Sequence, residues 1–352
     1  MGSWCAPESN KQVAIKHFEP IPIFELRHLS EIEFPDNQVN VMFRKVAVRL
    51  TAVLLLLALV AVGAVGWVGS ERALHPGYYK YDWSLASFHD LRPEAVHIHS
   101  STGIDLQGRF FAGQNRELVV LASGYGDTQD QMLPFAEFLH RSGFNVLTFN
   151  SRARATSGGE YVTVGALEPR DLISVVDFAA HRPEVDPDRI GVLGVSLGGA
   201  TVILGAAADK QIRAVVDDCG FSDASSAIAA SFQHFIHLPP MPFAPITVWI
   251  ASYRAGIDVA RVRPVDVIAQ ISPRPILIIH GLDDYVVPIA NSERNFAAAR
   301  EPKELWLVRG AKHAQSHTVE KEQYEQKVVN FFTSTLGVGA AEASGAIVRS
   351  RS

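Results

Sequence analysis

The residues best suited to chemistry are Gly194-Val195-Ser196-Leu197-Gly198-Gly199. They follow an apolar run, Ile190 to Val195, and lead into a helix-forming one, Ala200 to Ala208. A Gly-x-Ser-x-Gly at a strand-to-helix turn is a nucleophile elbow. The glycines permit the tight turn that lifts the serine hydroxyl clear of a sheet, and the helix N-terminus behind it favours anions. Serine is a poor nucleophile until a base takes its proton, and the base needs an acid to fix its tautomer. In elbows of this kind the partners follow in the order serine, acid, histidine. Two later stretches fit that order: His280-Gly-Leu-Asp283-Asp284-Tyr-Val-Val-Pro288 and Arg309-Gly-Ala-Lys-His313. Asp283 and Asp284 compete for the acid, with Asp217 and Asp218 as an alternative pair, while His317 competes with His313 for the base. An oxyanion would be held by the Leu197 N–H and by one from the loop Ser123-Gly124-Tyr125-Gly126-Asp127. His97/His99 and His234/His237 have ligand-like spacing but no third partner, so no metal is expected. The chemistry requires no cofactor.

The elements that must position these residues alternate from about residue 93 to 335. Glu117–Ala122, Asn145–Phe149, Ile190–Val195, Ile212–Val216, Pro275–Ile279 and Glu304–Val308 read as short strands buried on both faces. Helical spacing lies between them at Met132/Phe135/Ala136/Leu139, at Leu172/Val175/Val176/Ala179 and at Tyr324/Val328/Phe331. The pattern implies an α/β domain with a mostly parallel, doubly wound sheet, the catalytic loops at the C-terminal strand ends. Ala95–His99 and Leu106–Phe111 read as an antiparallel hairpin at its edge.

With those motifs in place, residues 93–335 resemble an α/β hydrolase, of the lid-bearing serine type related to prolyl-oligopeptidase-like and dienelactone-hydrolase-like enzymes. In that family His-Gly-x-x-Asp-x-x-Val-Pro carries the acid and Gly-x-x-His the base. The resemblance therefore implies Ser196 as nucleophile, His313 as general base, Asp284 as the residue that orients it, and Tyr125 as the second oxyanion donor. The family's Asp-x-Arg-Gly-x-Gly-x-Ser reads here Asn150-Ser-Arg152-Ala-Arg154-Ala-Thr-Ser157. Alanine tolerates positive φ much less readily than glycine, so a different backbone path is expected near the pocket.

A lid is expected over Gly220 to Pro273. From Ala224 to Tyr253 it contains no Asp, Glu, Lys or Arg, and four prolines divide it into pieces too short to span a bilayer. It is either a helical cap simply packed on the sheet or an apolar roof over the serine, with Phe232, Phe235, Leu238 and Trp249 as candidates, that selects hydrophobic acyl groups and touches lipid beside the anchor.

From Leu50 to Ser70 there is no charged residue. As a helix, at about 1.5 Å per residue, this covers roughly 30 Å, the hydrocarbon thickness of a bilayer. Residues 46–70 are therefore expected to form a transmembrane helix or a signal segment. Arg44, Lys45 and Arg49 precede it, which keeps the N-terminus cytoplasmic and places the domain on the outer side, with secretion after cleavage as the alternative. Met42 is a second possible start. Residues 1–45 read as a cytosolic tail, and 336–352, rich in Gly, Ala and Ser, as a disordered one. A formal net charge of −5 gives no basic surface for nucleic acid, and two cysteines cannot build a disulfide framework. The expected activity is that of a membrane-anchored serine hydrolase acting on small-molecule or lipid-like esters or thioesters. A serine peptidase or a non-catalytic scaffold of the same shape are the alternatives.

Overall fold

A computed structural model describes residues 36–337, and their side chains from Val39 onward except those of Phe235 and Ile236. The chain divides into two compact units between Leu59 and Val60. Of the first unit, the described part is the N-terminal portion of helix α1, Asp36–Leu74. This helix begins well ahead of the segment expected at 46–70, and among the described residues it is the one long and apolar enough to cross a membrane. The expected tails lie outside the described residues apart from 36–45, which are helical, and Leu336–Gly337.

The second unit is built on eight strands: β1 Glu94–His99, β2 Asp105–Phe111, β3 Leu118–Ala122, β4 Asn145–Phe149, β5 Ile190–Val195, β6 Ile212–Asp218, β7 Ile276–Gly281 and β8 Lys303–Val308. Their order in the sheet is β1-β2-β4-β3-β5-β6-β7-β8. β1 pairs antiparallel with β2, β2 antiparallel with β4, and all other neighbours are parallel. The hairpin thus closes one edge, and the doubly wound parallel arrangement accounts for the rest. Every residue of β3, β4, β5 and β7 is buried, which explains why apolar side chains dominate them, since strands covered on both faces have no solvent side; Asn145 and Thr148 in β4 and His280 in β7 are buried polar residues.

Helices α2 Leu133–Arg141, α3 Glu168–Ala180 and α4 Leu197–Ala208 connect the central strands. α5 Ala224–Ser231 and α6 Pro240–Ala255 form the lid, and α7 Pro264–Val267, α8 Ala290–Ala298, α9 Ser316–Val319 and α10 Lys321–Leu336 complete the fold. One core, with Leu172, Val176 and Val202, lies on one face of the sheet, and a second, with Phe138, Tyr324 and Phe332, lies on the other. In α10 the buried stripe is Tyr324, Val328 and Phe332, one residue beyond the expected Phe331. Gly191 explains the shift: a Cβ there would lie 2.6 Å from the Phe332 ring, so that ring fills the space a side chain on β5 would take.

Candidate active site

Three loops at the C-terminal ends of β5, β7 and β8 bring the predicted residues together. Ser196 sits between β5 and α4 with φ 57° and ψ −114°, a backbone conformation that only a tightly determined turn sustains. The flanking glycines are steric requirements. A Cβ on Gly194 would lie 2.1 Å from Gly198 O, and one on Gly198 would lie 2.1 Å from Ala122 O. The serine hydroxyl lies 2.9 Å from His313 Nε2, and His313 Nδ1 lies 2.7 Å from Asp284 Oδ2.

Asp284 is held from several sides. Its Oδ1 accepts from the backbone N–H groups of Val286 and Val287, both at 2.9 Å. His280, fully buried, places Nε2 2.8 Å from Val287 O and 3.3 Å from Asp284 Oδ2. Burial alone would raise the Asp284 carboxyl, but the hydrogen bonds from His280 and His313 and the charge of His313 outweigh it and bring it down to about 2. For His280 the balance is similar: burial disfavours the cation, and the Asp284 carboxylate with the Val287 carbonyl overcomes that and raises the imidazole. Sequence reasoning gave His280 no role. Its place in the His-Gly-x-x-Asp motif was the available signal.

The rival residues have other partners. Asp283 is exposed. Asp218 accepts from Tyr324 Oη at 3.0 Å and Asp217 from Gly220 N at 2.9 Å. His317 bonds Glu325 at 3.2 Å and stacks on Phe138. Cys219, Asp284 and His313 bring a sulfur, an oxygen and a nitrogen within 4.8 Å of one another. The oxygen and nitrogen already bond each other, and burial pushes the Cys219 thiol well up, so it stays protonated.

Leu197 is the first residue of α4, so its N–H has no carbonyl four residues earlier in the helix. Tyr125 lies in the loop after β3, and its N–H has no acceptor among the described residues. Its ring joins an apolar cluster with Leu197, Phe221 and Val287, and its hydroxyl donates to Arg72 O at 2.5 Å. Ser123, where the family has histidine, is buried with an unpartnered hydroxyl among the described residues. The loop is pinned by residues the sequence did not single out. Tyr81 Oη and Gln131 Nε2 bond the two oxygens of Asp127, and Gln131 Oε1 accepts from Gly124 N. Burial pushes Asp127 up to about 6. Arg154, buried, donates to the carbonyls of Pro76, Gly77 and Gly126 and lies 3.9 Å over the Tyr78 ring.

The loop after β4 corrects one expectation. Ala153 and Ala155 adopt φ 55° and 46°, the left-handed region a glycine would use, so alanine has not rerouted the turn. Its surroundings hold it there. Arg152 makes two bonds to Asp171, at 2.8 and 2.9 Å, and Ser157 Oγ donates to Asn150 O at 2.8 Å.

The side chains of α5 and α6 that reach the apolar cluster beside Leu197 are Ala224, Ala227, Ile228 and Val248. The first three have helical spacing, a readable signal that larger aromatic neighbours obscured. Of the expected four, Phe232 is buried with its ring tip toward Gly69, Leu238 is half-buried, and Trp249 is 69% exposed and outside this cluster. The Phe235 side chain lies outside the described residues.

This nucleophile elbow, with its acid and histidine in serial order, coincides with a family match. Residues 135–339 match the prolyl oligopeptidase family. The chain belongs to that family. It is 29% identical to the uncharacterized protein YqkD of Bacillus subtilis (strain 168), over 70% of this chain and 81% of that one. It is 30% identical to the thiohydrolase aneE of Aspergillus aculeatus, over 52% of this chain and 58% of that protein. The solved structure of the Pyrococcus furiosus esterase Pf2001 superposes with a TM-score of 0.63 at 26% identity, covering 75% of this chain and 99% of that one. Prolyl oligopeptidase family members are hydrolases, and the α/β-hydrolase fold found here is the family's.

Proposed function

We propose that the chain is a membrane-anchored serine hydrolase that cleaves carboxylic esters or thioesters with apolar acyl groups through an acyl-serine at Ser196. The observation that carries this reading is the unbroken hydrogen-bonded line Ser196–His313–Asp284, at 2.9 and 2.7 Å. His313 Nε2 takes the serine proton as Oγ attacks the substrate carbonyl. The N–H groups of Leu197 and Tyr125 receive the negative charge that develops on the carbonyl oxygen. The intermediate collapses, and the leaving alkoxide or thiolate carries off the proton from Nε2. Water, deprotonated by the same nitrogen, then releases the acid and restores the serine.

Asp284, ionised over the working pH range, keeps the His313 proton on Nδ1 and stabilises the imidazolium. The apolar cluster formed by Leu197, Tyr125, Phe221, Ile228, Val248 and Val287 is suited to a hydrocarbon acyl chain. The esterase and thiohydrolase among the similar proteins favour ester-type bonds, and the name of the family favours peptide bonds as the second reading.

Anchoring rests on the apolar length of α1. With Arg44, Lys45 and Arg49 at its N-terminal side, residues 1–45 lie in the cytoplasm and the domain of residues 93–335 beyond the membrane. Fluorophosphonate labelling of the full chain tests the chemistry. Wild-type protein should label and Ser196→Ala should not, with kcat lower by up to about a million-fold. A folded wild-type chain that fails to label would refute the proposal. A parallel panel of esters, thioesters and peptides separates the two readings.

A further inference from the structure

The lid helix α6 carries an outward stripe that the site does not use. Met241, Trp249 and Tyr253 are 68%, 69% and 82% exposed, and the Trp249 and Tyr253 rings stack at 6.4 Å. Trp249 and Tyr253 lie one turn apart on one flank, and Met241 lies at the kinked start of the helix, where its backbone is non-helical. Large apolar and aromatic groups exposed together in this way mark a contact. What lies beside it identifies the contact.

α6 packs directly on the Val60–Leu74 stretch of α1. Gly66, Ser70 and Leu74 turn inward at helical spacing, while Trp67 and Val68 stay exposed. A Cβ on Gly66 would fall 2.5 Å from Ile246 Cγ2, and one on Gly69 would fall 2.6 Å from Thr247 Oγ1. The two helices therefore approach through glycines, as apolar helices in lipid do. At 100° per residue, Ile246, Ile250 and the adjoining Thr247 form the stripe that meets α1, and Ala244 and Ala251, with Thr247 between the two stripes, are buried. Trp249 and Tyr253 lie on the opposite flank of the Ile246/Ile250 stripe, next to α1 and away from the domain core. Arg254 closes one end of the contact. Its guanidinium sits 4.6 Å over the Trp67 ring and bonds Ser70 Oγ at 3.0 Å and Glu71 at 2.5 Å. A tryptophan beside an arginine–glutamate pair at the end of an apolar span is the signature of the headgroup level.

We infer that α6 is an interfacial helix, with Trp249, Tyr253 and Met241 immersed in the boundary between headgroups and acyl chains of the bilayer that α1 crosses. The occupant of this surface is thus phospholipid. The inference rests on the proposed membrane span of α1, and it makes the lid part of the membrane surface, so that acyl substrates dissolved in lipid reach it without crossing water.

The test is tryptophan quenching with the full chain in phosphatidylcholine vesicles containing some phosphatidylglycerol. The lipids carry bromine either near the headgroups or near the chain ends. Trp67 reports on α1 and Trp249 on the lid, read as differences between wild type, Trp67→Phe and Trp249→Phe. Circular dichroism verifies that each variant is folded. The expected result is that each variant loses part of the quenched signal, with headgroup-proximal bromine quenching the Trp249 part at least about twofold more than chain-end bromine. If Trp249→Phe leaves the lipid-quenched signal unchanged and aqueous iodide quenches Trp249, the lid faces water and the inference fails while the anchor stands. If neither bromine nor iodide reaches Trp249, a second protein copy covers it, and the inference fails. If bromine quenches neither residue, the anchor proposal itself has failed.

Discussion

Replacing Asp284 by asparagine changes one atom and, on this geometry, should silence the enzyme. Oδ1 faces two backbone N–H donors, those of Val286 and Val287 at 2.9 Å, so an amide oxygen must remain there. The amide NH2 is then forced to the Oδ2 side, toward His313 Nδ1 and His280 Nε2. His280 Nε2 already commits its hydrogen to Val287 O at 2.8 Å, so it cannot accept from the new amide. His313 must therefore accept at Nδ1 and carry its own proton on Nε2, facing Ser196, where it cannot take the serine proton. The lost attraction between carboxylate and imidazolium, at about 4 Å and an effective dielectric of about 20, is roughly 4 kcal/mol, or about a thousandfold. The wrong tautomer brings the expected loss in kcat to about ten-thousandfold. Initial rates on a short p-nitrophenyl ester, normalised by a thermal melt followed by circular dichroism, measure it. A folded Asp284→Asn protein that keeps more than about a tenth of wild-type kcat would refute the reasoning. The same loss in Asp217→Asn or Asp218→Asn would move the acid to β6.

Three further outcomes are expected. Ala153→Gly and Ala155→Gly relieve left-handed alanines at φ 55° and 46°, so each should raise the free energy of unfolding by up to about 1 kcal/mol, read as a higher urea midpoint. Arg154→Lys loses the forked reach to three carbonyls, one of them Gly126 O beside the Tyr125 loop. It should lower kcat about tenfold or more at nearly unchanged KM, since the proposed oxyanion site is loosened more than the proposed acyl pocket. Burial pushes Asp217 up to about 7 and Asp218 up to about 6 from an ordinary 3.8. The folded state thus holds protons that the unfolded chain releases, so its stability falls as pH rises from about 4 to about 7. Urea unfolding should show a lower midpoint at about pH 8 than at about pH 5, and Asp217→Asn should flatten that slope.

Motif spacing, read through the family resemblance, singled out Ser196, His313 and Asp284 as candidates, because an elbow and two strand-end loops have fixed sequence signatures, and the folded chain brings the three side chains within hydrogen-bonding distance. The sequence pattern also located the strands, whose burial on both faces leaves mostly apolar runs, and the apolar length of α1. Asp284 rather than Asp283 could be read only through the motif, and the physical reason appears in three dimensions: Asp284 is turned inward to two backbone N–H groups and Asp283 is exposed.

The supports of the site were not legible. Arg154, Tyr81 and Asp127 lie far apart in sequence and meet only after folding, and no local pattern distinguishes them from surface residues. The lid misled for a related reason. Its composition announces an apolar surface, but a nearly uncharged helix has no polar side to reveal which face turns inward. That choice was made by packing: glycines of α1 admit Ile246 and Ile250, the cluster beside Leu197 takes Ile228 and Val248, and Trp249 is left outside. Sequence by itself therefore determined the order of elements and the candidate residues for the chemistry, since both depend on local residue type and spacing. Tertiary structure decided which side chains surround those residues, because burial depends on neighbours the chain brings from a distance.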